Sequence, residues 1–191
     1  MHEELIIAGF GGQGIMVMGQ LLAFAGTLEG KMVSWIPSYG PEMRGGTANC
    51  SVIISSDEIA SPIVTEADSL IVLNRPSLLR FESSLKPGGL ILYDSSLIDE
   101  GPERSDIEII ALPANKIAND LGEIRVANMV LLGAYLAKTG VVSMKSIEDS
   151  LGKVLPSRRH HLIPLNKKAL QQGWGMAEKG QPLPAHQAFI F

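Results

Sequence analysis

The sequence predicts an α/β protein in which three layers, α/β/α, are built around a mostly parallel sheet. Two observations support this prediction. The chain opens with a short apolar run, a glycine-rich turn and a long apolar segment, in the order of a strand, a turn and a helix. Further apolar runs of strand length follow, and the hydrophobic period becomes helical from Ala114 onward. We therefore expect helices to gather toward the C-terminus.

The first elements have a Rossmann-like order. Leu5–Ala8 is continuously apolar and ends at Gly9, which is typical of a strand buried on both faces. After the glycine-rich turn, Ile15–Leu28 is expected to form a helix that Gly30 ends. Lys31–Ile36 is expected to be the second strand, so that the opening forms the first unit of a parallel α/β domain.

The remaining elements follow in turn. Further strands are expected at Thr47–Ile54, Leu70–Leu73, Leu90–Tyr93 and, as the final or edge strand, Ile107–Leu112. A helix is expected over Pro76–Leu85, and the turn Lys86–Gly89 leads into the next strand. Four helices are expected in the second half, at Ala114–Leu121, Arg125–Thr139, Ser143–Leu155 and Leu165–Glu178. Residues 1–180 are expected to form a single domain, followed by an extended C-terminal tail over residues 181–191.

Composition excludes several classes of protein. The 191 residues are 46% hydrophobic, and 16 basic against 20 acidic side chains leave a net charge of −4. Sequence-independent nucleic-acid binding needs an excess of Lys and Arg, so no nucleic-acid partner is expected. The single cysteine, Cys50, excludes an internal disulfide and any cysteine-ligated iron–sulfur cluster on this chain alone. The N-terminus lacks a basic signal region and no apolar run is long enough to span a membrane, which predicts a cytoplasmic protein with no membrane partner.

The glycine-rich turn is the first candidate site. Its sequence, GFGGQG, fits G-x-G-x-x-G between a strand and a helix, where free N–H groups and the helix end suit a phosphate or carboxylate. A dinucleotide site also needs an acid at the end of the second strand, which here ends Ser34–Ile36. Three interpretations of the glycine motif therefore stay open: contact with an anion or cofactor, tight helix–strand packing alone, and a true NAD site. The candidate binding residues are Gly9, Gly11, Gly12, Gln13 and Gly14.

The loop PSYGPEMRGG is the second candidate. Two prolines and three glycines exclude regular structure, and loops this long tend to be functional. Arg44 between Met43 and glycines can reach a carboxylate or phosphate, or it can pair with Glu42 on an ordinary surface loop. The candidate interface or substrate residues are Ser38, Tyr39, Gly40, Pro41, Glu42, Arg44, Gly45 and Gly46.

Other polar residues carry weaker signals. Asn128 lies on an apolar helix, where a structural hydrogen bond and substrate contact are both consistent with the pattern. Asp94 follows a buried strand, at the end where α/β proteins bind ligands, or it belongs to an ordinary loop. Arg158–His161 is expected to be a solvated or subunit-contacting basic patch, because adjacent histidines lack the spacing of a metal pair. No catalytic residue set and no metal site is predicted on this chain.

Taken in order, GFGGQG, YGPEMRGG, EADSLIVLN and LKPGGLILYDSSLI identify a resemblance. The sequence resembles the gamma subunit, or equivalent pyruvate/ketoisovalerate oxidoreductase gamma-type domain, of 2-oxoacid:ferredoxin (acceptor) oxidoreductases. The resemblance covers about Leu5 to Gly173 and includes RVANMVLLGAYLAKTG and PLNKKALQQG. It implies an α/β/α fold and a subunit that is inactive alone. The enzymes convert a 2-oxoacid and coenzyme A into an acyl-CoA and carbon dioxide and reduce ferredoxin.

The resemblance also implies where the cofactors lie. Thiamine diphosphate with Mg²⁺ and iron–sulfur (4Fe-4S) clusters are expected on partner alpha, beta and ferredoxin-like delta subunits. No tightly bound cofactor is expected here, and coenzyme A would meet Gly11–Gly14 while the Tyr39–Gly46 loop faces the thiamine-bearing subunit. A homodimer is a further expected assembly. Two alternatives remain: a self-sufficient NAD(P)-dependent oxidoreductase and the small subunit of an indolepyruvate oxidoreductase.

Overall fold

The computed structural model describes residues 1–38 and 47–179, and the expectations for Tyr39–Gly46 and for the tail over residues 181–191 lie outside them. Six strands form one sheet: β1 (His2–Phe10), β2 (Met32–Ser38), β3 (Thr47–Ser55), β4 (Ala67–Val72), β5 (Leu85–Asp94) and β6 (Glu108–Leu112). Six α-helices surround it: α1 (Ile15–Leu28), α2 (Arg75–Phe81), α3 (Ala114–Asp120), α4 (Ala127–Thr139), α5 (Met144–Val154) and α6 (Ile163–Glu178). The predicted α/β class with a mostly parallel sheet and helices gathered toward the C-terminus is confirmed.

The strand order is β2-β3-β1-β4-β5-β6. Strands β1, β4, β5 and β6 pair in parallel, whereas β3 is antiparallel to both β1 and β2. The opening β–α–β segment therefore differs from a simple parallel unit, because β2 does not pair with β1. After β2, the chain returns antiparallel, and β3 pairs with β1 over nine residues, from Phe10↔Thr47 to His2↔Ser55. Because of this long pairing, β3 lies between β1 and β2, and β2 lies at the edge of the sheet.

The two faces of the sheet are covered unequally. Side chains of β1, β3, β4 and β5 pack on one face against α1 and α3–α6, and they form the larger core. The opposite face packs against α2 through Leu78 and Phe81 and against Ile98. Helix α1 follows β1 on one face and α2 follows β4 on the other, and open α/β sheets bind ligands outside the carboxyl ends of strands at such a switch in connection.

Some element boundaries follow the sequence closely, and others do not. Ser143 accepts a hydrogen bond from the Ser146 N–H over 3.1 Å as the N-cap of α5, and Gly140 ends α4 with φ of 59°. The helix expected over Pro76–Leu85 ends at Phe81 instead, because Leu85 already pairs with Ala67 in the sheet. The expected turn Lys86–Gly89 lies within β5, where the pairing register shifts before Leu90 meets Ser69.

Helix α1 lies close to the sheet along a stripe of small residues. A β-carbon on Gly19 would lie 2.6 Å from Trp35 Nε1 and 2.7 Å from Cys50 Sγ, and one on Gly26 would lie 2.8 Å from Val33 Cγ2. These contacts pack α1 closely against β2 and β3. None of the helices in residues 1–38 and 47–179 has the length and apolar character needed to cross a membrane.

Candidate functional site

The glycine-rich turn between β1 and α1 takes a backbone form that requires glycine. Gly12 has φ of 96°, and Gly14, the residue that precedes α1, has φ of 81°. Gln13 fixes the turn, because its Oε1 accepts from the Phe10 N–H over 2.6 Å and its Nε2 donates to the Leu73 carbonyl over 3.1 Å. Gln13 thereby connects the carboxyl ends of β1 and β4, so its side chain has a structural role in the site.

The first turn of α1 is open to a ligand. Gly14 provides no side-chain cap, and the first turn has no acidic residue. The first N–H groups of a helix have no partner within the helix, and together they carry a partial positive charge. The start of α1 therefore has the features of an anion-binding helix end, and the adjacent Gly11 and Gly12 are exposed.

A small cavity lies directly beside this turn. Its volume is about 60 Å³, about twice the share of one water molecule in the liquid, which suits a single phosphate or carboxylate group. The lining includes both polar and apolar residues: Gly12, Gly14, Val17, Arg125, Val126, Asn128, Leu155, Arg159, Leu162 and Asn166. Residues from three separate stretches of the chain, 12–17, 125–128 and 155–166, thus meet at the start of α1.

Asn128, which lines this cavity, has a buried polar atom with no partner among the described residues. The residue is 4% exposed, and its Nδ2 donates to the Gly14 carbonyl over 3.3 Å. Its Oδ1 is buried and has no hydrogen-bond partner within residues 1–38 and 47–179. Buried polar atoms are rarely left unpaired, so this carbonyl oxygen is suited to accept a hydrogen bond from a bound molecule. The structural hydrogen bond expected of Asn128 is present, and the side chain also lines the cavity.

Two arginines supply the charge of the site. Arg125 is half exposed and forms an ion pair with Glu123, whose pKa the Arg125 hydrogen bonds lower to about 2. Arg159 is exposed and forms no ion pair within the part of the chain that the structure describes. Guanidinium groups bind phosphate and carboxylate through paired N–H donors. The site is therefore locally basic although the chain as a whole is acidic.

Sequence patterns did not indicate Arg125, Arg159 or Asn166 as members of this site. The sequence predicts that Arg159 and Arg158 belong to one basic patch. In the structure both are exposed on the 3₁₀ segment Ser157–Leu162. Only Arg159 lines the cavity. The buried Asn166 reaches the cavity from α6, the last helix. Their separation along the chain leaves no local signal by which to group them.

The other candidates lie outside the cavity lining. Asp94 is fully buried at the end of β5, where Oδ1 accepts from the Ser96 N–H over 2.9 Å and Oδ2 from the Asn115 N–H over 3.1 Å. Burial raises the pKa of Asp94, and its oxygens hold the start of α3. Ser38 is exposed at the end of β2, next to the Tyr39–Gly46 loop that lies outside the described residues.

Metal and thiol chemistry have little support among the residues. The described ranges contain no group of three or more His, Cys, Asp or Glu side chains placed to hold a metal ion. Cys50 is buried under α1, and burial raises the pKa of its thiol to about 12. One buried thiol cannot hold an iron–sulfur cluster, so the chain's residues do not fit that cofactor.

A dinucleotide does not fit the observed topology. In a dinucleotide site the second strand lies beside the first and carries an acid to the ribose hydroxyl groups. Here β3 separates β2 from β1, and β2 ends at Pro37 and Ser38 with no acid. The NAD(P) interpretation of the glycine motif therefore loses its structural basis.

The fold and the cavity define an α/β protein in which a small cavity lies beside the uncapped start of α1. Residues 4–176 match the family of pyruvate ferredoxin/flavodoxin oxidoreductases. The chain belongs to this family, which agrees with the resemblance found in its motifs.

Individual relatives point to the gamma-type component. The chain is 39% identical over 175 residues to the ketoisovalerate oxidoreductase subunit VorA of Methanothermobacter marburgensis, covering 91% of this chain but only 36% of that relative. It is 35% identical over 188 residues to the 2-oxoglutarate synthase subunit KorC of the same organism, covering 95% of this chain and 100% of KorC. A crystal structure of the gamma subunit of a keto/oxoacid ferredoxin oxidoreductase from Geobacter sulfurreducens shares 35% identity and a TM-score of 0.80, covering 93% of this chain and 99% of that one.

Proposed function

We propose that this chain is the gamma-type component of a multi-subunit 2-oxoacid:ferredoxin oxidoreductase, and that the cavity beside α1 holds a phosphate group of coenzyme A. The observation that supports the site is that Arg125, Arg159 and the buried Asn128, whose Oδ1 has no partner among the described residues, line one cavity with Gly12 and Gly14 at the start of α1. Phosphate is an anion with several acceptor oxygens, which matches two guanidinium groups and a helix end. The Asn128 oxygen would accept from a hydroxyl group or a water bound with the ligand.

The role of these residues in the reaction is to hold and orient a substrate. In the proposed reaction a 2-oxoacid loses carbon dioxide, its acyl group is transferred to the thiol of coenzyme A, and two electrons pass to ferredoxin. An anchored phosphate restricts the motion of the long coenzyme A chain, which lowers the entropic cost of bringing its thiol to the acyl group. The chain itself provides no redox group for this step.

Thiamine diphosphate, Mg²⁺ and iron–sulfur clusters are proposed to lie on partner subunits. When bound there, thiamine diphosphate supplies carbanion stabilisation and the clusters accept the electrons. The single Cys50 of this chain supports that division of roles. The acid specificity is proposed to reside in the partners as well, because the gamma-type relatives belong to enzymes named for ketoisovalerate and for 2-oxoglutarate.

The loop from Ser38 to Gly46 is proposed to face the thiamine-bearing subunit. Its sequence places Arg44 between Met43 and Gly45, so the guanidinium group can reach an acid, a phosphate or a substrate carboxylate. Arg44→Ala is expected to lower turnover or assembly while this chain remains folded. Normal assembly with unchanged kinetics would remove the proposed role.

Purification of the tagged chain from its host without oxygen tests the assembly. Co-elution with a thiamine-binding subunit and a cysteine-rich ferredoxin-like subunit is the expected result, and activity on a panel of 2-oxoacids would then identify the substrate. Elution of the chain alone with a bound nicotinamide cofactor would contradict the proposal.

The coenzyme A site is tested with two neighbouring arginines. In the assembled enzyme, Arg159→Ala is expected to raise the KM for coenzyme A about ten-fold or more, because charged hydrogen bonds to phosphate are lost, and to leave kcat and the KM for the 2-oxoacid nearly unchanged. Arg158→Ala removes the same charge from the same exposed segment without touching the cavity, so it is the matched control. Equal effects of the two substitutions would show that the cavity does not bind coenzyme A.

A further inference from the structure

Glu123 forms an ion pair with Arg125, one of the two arginines that line the cavity. Its Oε1 accepts from Arg125 Nε over 2.8 Å and its Oε2 from Arg125 Nη2 over 2.5 Å, a two-point pair of the kind that arginine forms with a bound anion. Arg125 lines the cavity, so an anion supplied by the chain is already bound to part of the site. Arg159, which also lines the cavity, forms no ion pair among residues 1–38 and 47–179.

The local backbone keeps the Glu123 carboxylate in this place. Gly122 turns the chain with φ of 89°, and Glu123 caps the 3₁₀ turn Ile124–Val126 by accepting from the Arg125 N–H over 3.1 Å. The Glu123 side chain is only 17% exposed, whereas that of Arg125 is 57% exposed. The Arg125 hydrogen bonds hold the pKa of Glu123 at about 2, so the carboxylate is charged at neutral pH. The acid is thus fixed, and the guanidinium is the group able to turn toward a ligand.

We infer that Glu123 is a built-in competitor for the anionic group of the ligand, and that it makes the site select doubly charged phosphate over a single carboxylate. This inference rests on the proposed anion site. A carboxylate ligand would give Arg125 the same two hydrogen bonds and single negative charge that Glu123 already gives it. Because Glu123 belongs to the chain, it makes this contact without the translational entropy that a free ligand loses on binding. A phosphate group carrying two charges attracts both Arg125 and Arg159 more strongly, so it displaces Glu123 from Arg125.

Calorimetric titration of the full chain with inorganic phosphate, acetate and coenzyme A tests this inference. Glu123→Gln keeps an oxygen that accepts from the Arg125 N–H but removes the competing charge. We expect Glu123→Gln to raise the affinity for phosphate and for coenzyme A roughly three- to ten-fold, and to raise the affinity for acetate by a larger factor. Glu58→Gln makes the same change of charge at an exposed position beyond the far end of β3, and it is expected to change none of the three.

The possible results separate this inference from the site itself. Weaker or unchanged binding to Glu123→Gln, with binding still lost in Arg159→Ala, would show that Glu123 positions Arg125 and does not compete, which overturns the inference and leaves the site. Absence of phosphate and coenzyme A binding to the unmodified chain would overturn both.

A second variant pair provides an independent measurement. If Glu123 competes for Arg125, then Arg125→Gln costs less phosphate affinity in the unmodified chain than in the Glu123→Gln background. Equal losses in the two backgrounds would contradict the inference. Far-ultraviolet circular dichroism of each variant confirms that the compared chains are folded.

Discussion

Asn128 Nδ2 lies 3.3 Å from the carbonyl oxygen of Gly14, and this hydrogen bond joins the first turn of α4 to the residue that precedes α1. A β-carbon on Gly14 would come within 2.9 Å of Asn128 Cγ. Gly14 also has φ of 81°, a conformation that other residues rarely adopt. Both the backbone conformation and the space at residue 14 therefore favour glycine.

A pair of alanine substitutions separates these two requirements. Gly12 has φ of 96° but open space where its β-carbon would lie, so Gly12→Ala is expected to cost about 1 kcal/mol through backbone strain alone. Gly14→Ala adds the collision with Asn128, and we expect a further loss of roughly 1–3 kcal/mol. Urea unfolding of the two variants measures the difference. Equal losses would mean that Asn128 moves aside without cost.

A negative charge introduced at position 128 is expected to weaken anion binding. Asn128→Asp keeps the shape but places a carboxylate in the cavity, so coenzyme A affinity is expected to fall about ten-fold or more through repulsion. Asn119→Asp is the control, because Asn119 is exposed on α3 and lies outside the cavity lining. Titration calorimetry measures both affinities. Unchanged binding to Asn128→Asp would place the phosphate elsewhere.

Much of the fold is encoded in local patterns of the sequence. Ile15–Leu28 is a helix with the predicted bounds, because continuous apolar residues follow a glycine that suits the left-handed conformation. Gly140 likewise ends α4, as the sequence predicts. The place of β3 was not predicted, since it depends on pairing with β1 across the segment that contains the Tyr39–Gly46 loop. Local periodicity does not specify which strands become neighbours.

The candidate site was predictable only in the part contributed by one stretch of sequence. The glycine turn and Asn128 each carried a signal, from a motif and from a polar residue in an apolar helix. The charge of the site comes from Arg125 and Arg159, which are only two of the chain's 16 basic residues. Their positions depend on how α4 and the 3₁₀ segment before α6 pack over α1, and this packing has no counterpart in spacing or composition.

Helices α4 and α6 cross with their backbones in contact, and this crossing sets a strict size limit. A β-carbon on Gly133 would collide with the Leu170 carbonyl, and one on Gly173 would collide with the Val130 carbonyl. Gly133→Ala or Gly173→Ala is therefore expected to cost about 3 kcal/mol or to prevent folding, because main-chain atoms must move. Gly175 on the same helix as Gly173 has open space, so Gly175→Ala is expected to raise the free energy of unfolding by roughly 0.5–1 kcal/mol. Thermal and urea unfolding measure the stability of each variant. Equal changes in the free energy of unfolding for all three variants would contradict the prediction.

Glu29 connects the end of α1 to the start of α5 and makes stability depend on acid pH. Its Oε1 accepts from the Ser143 N–H and the Ser146 hydroxyl, each over 2.7 Å, and its Oε2 accepts from Lys31 Nζ over 2.7 Å. Burial acts to raise the pKa of Glu29, but these hydrogen bonds outweigh it and lower the pKa from 4.5 to about 2. The folded chain therefore holds this carboxylate in its charged form.

The sign of the resulting pH dependence follows from linkage. Because the pKa of Glu29 is lower in the folded chain than in the unfolded chain, its contribution is complete above pH 4.5 and is lost as the pH falls toward 2. Glu29→Gln removes the titrating group but keeps one oxygen acceptor, so the variant is expected to be less stable at pH 7 and to approach the unmodified chain as the pH falls through that window. Urea unfolding at a series of pH values between 7 and 2.5 measures the difference, with Glu58→Gln as an exposed control. A difference between Glu29→Gln and the unmodified chain that stays constant over the window would contradict the assignment, since it would show that the carboxylate titrates alike in both states.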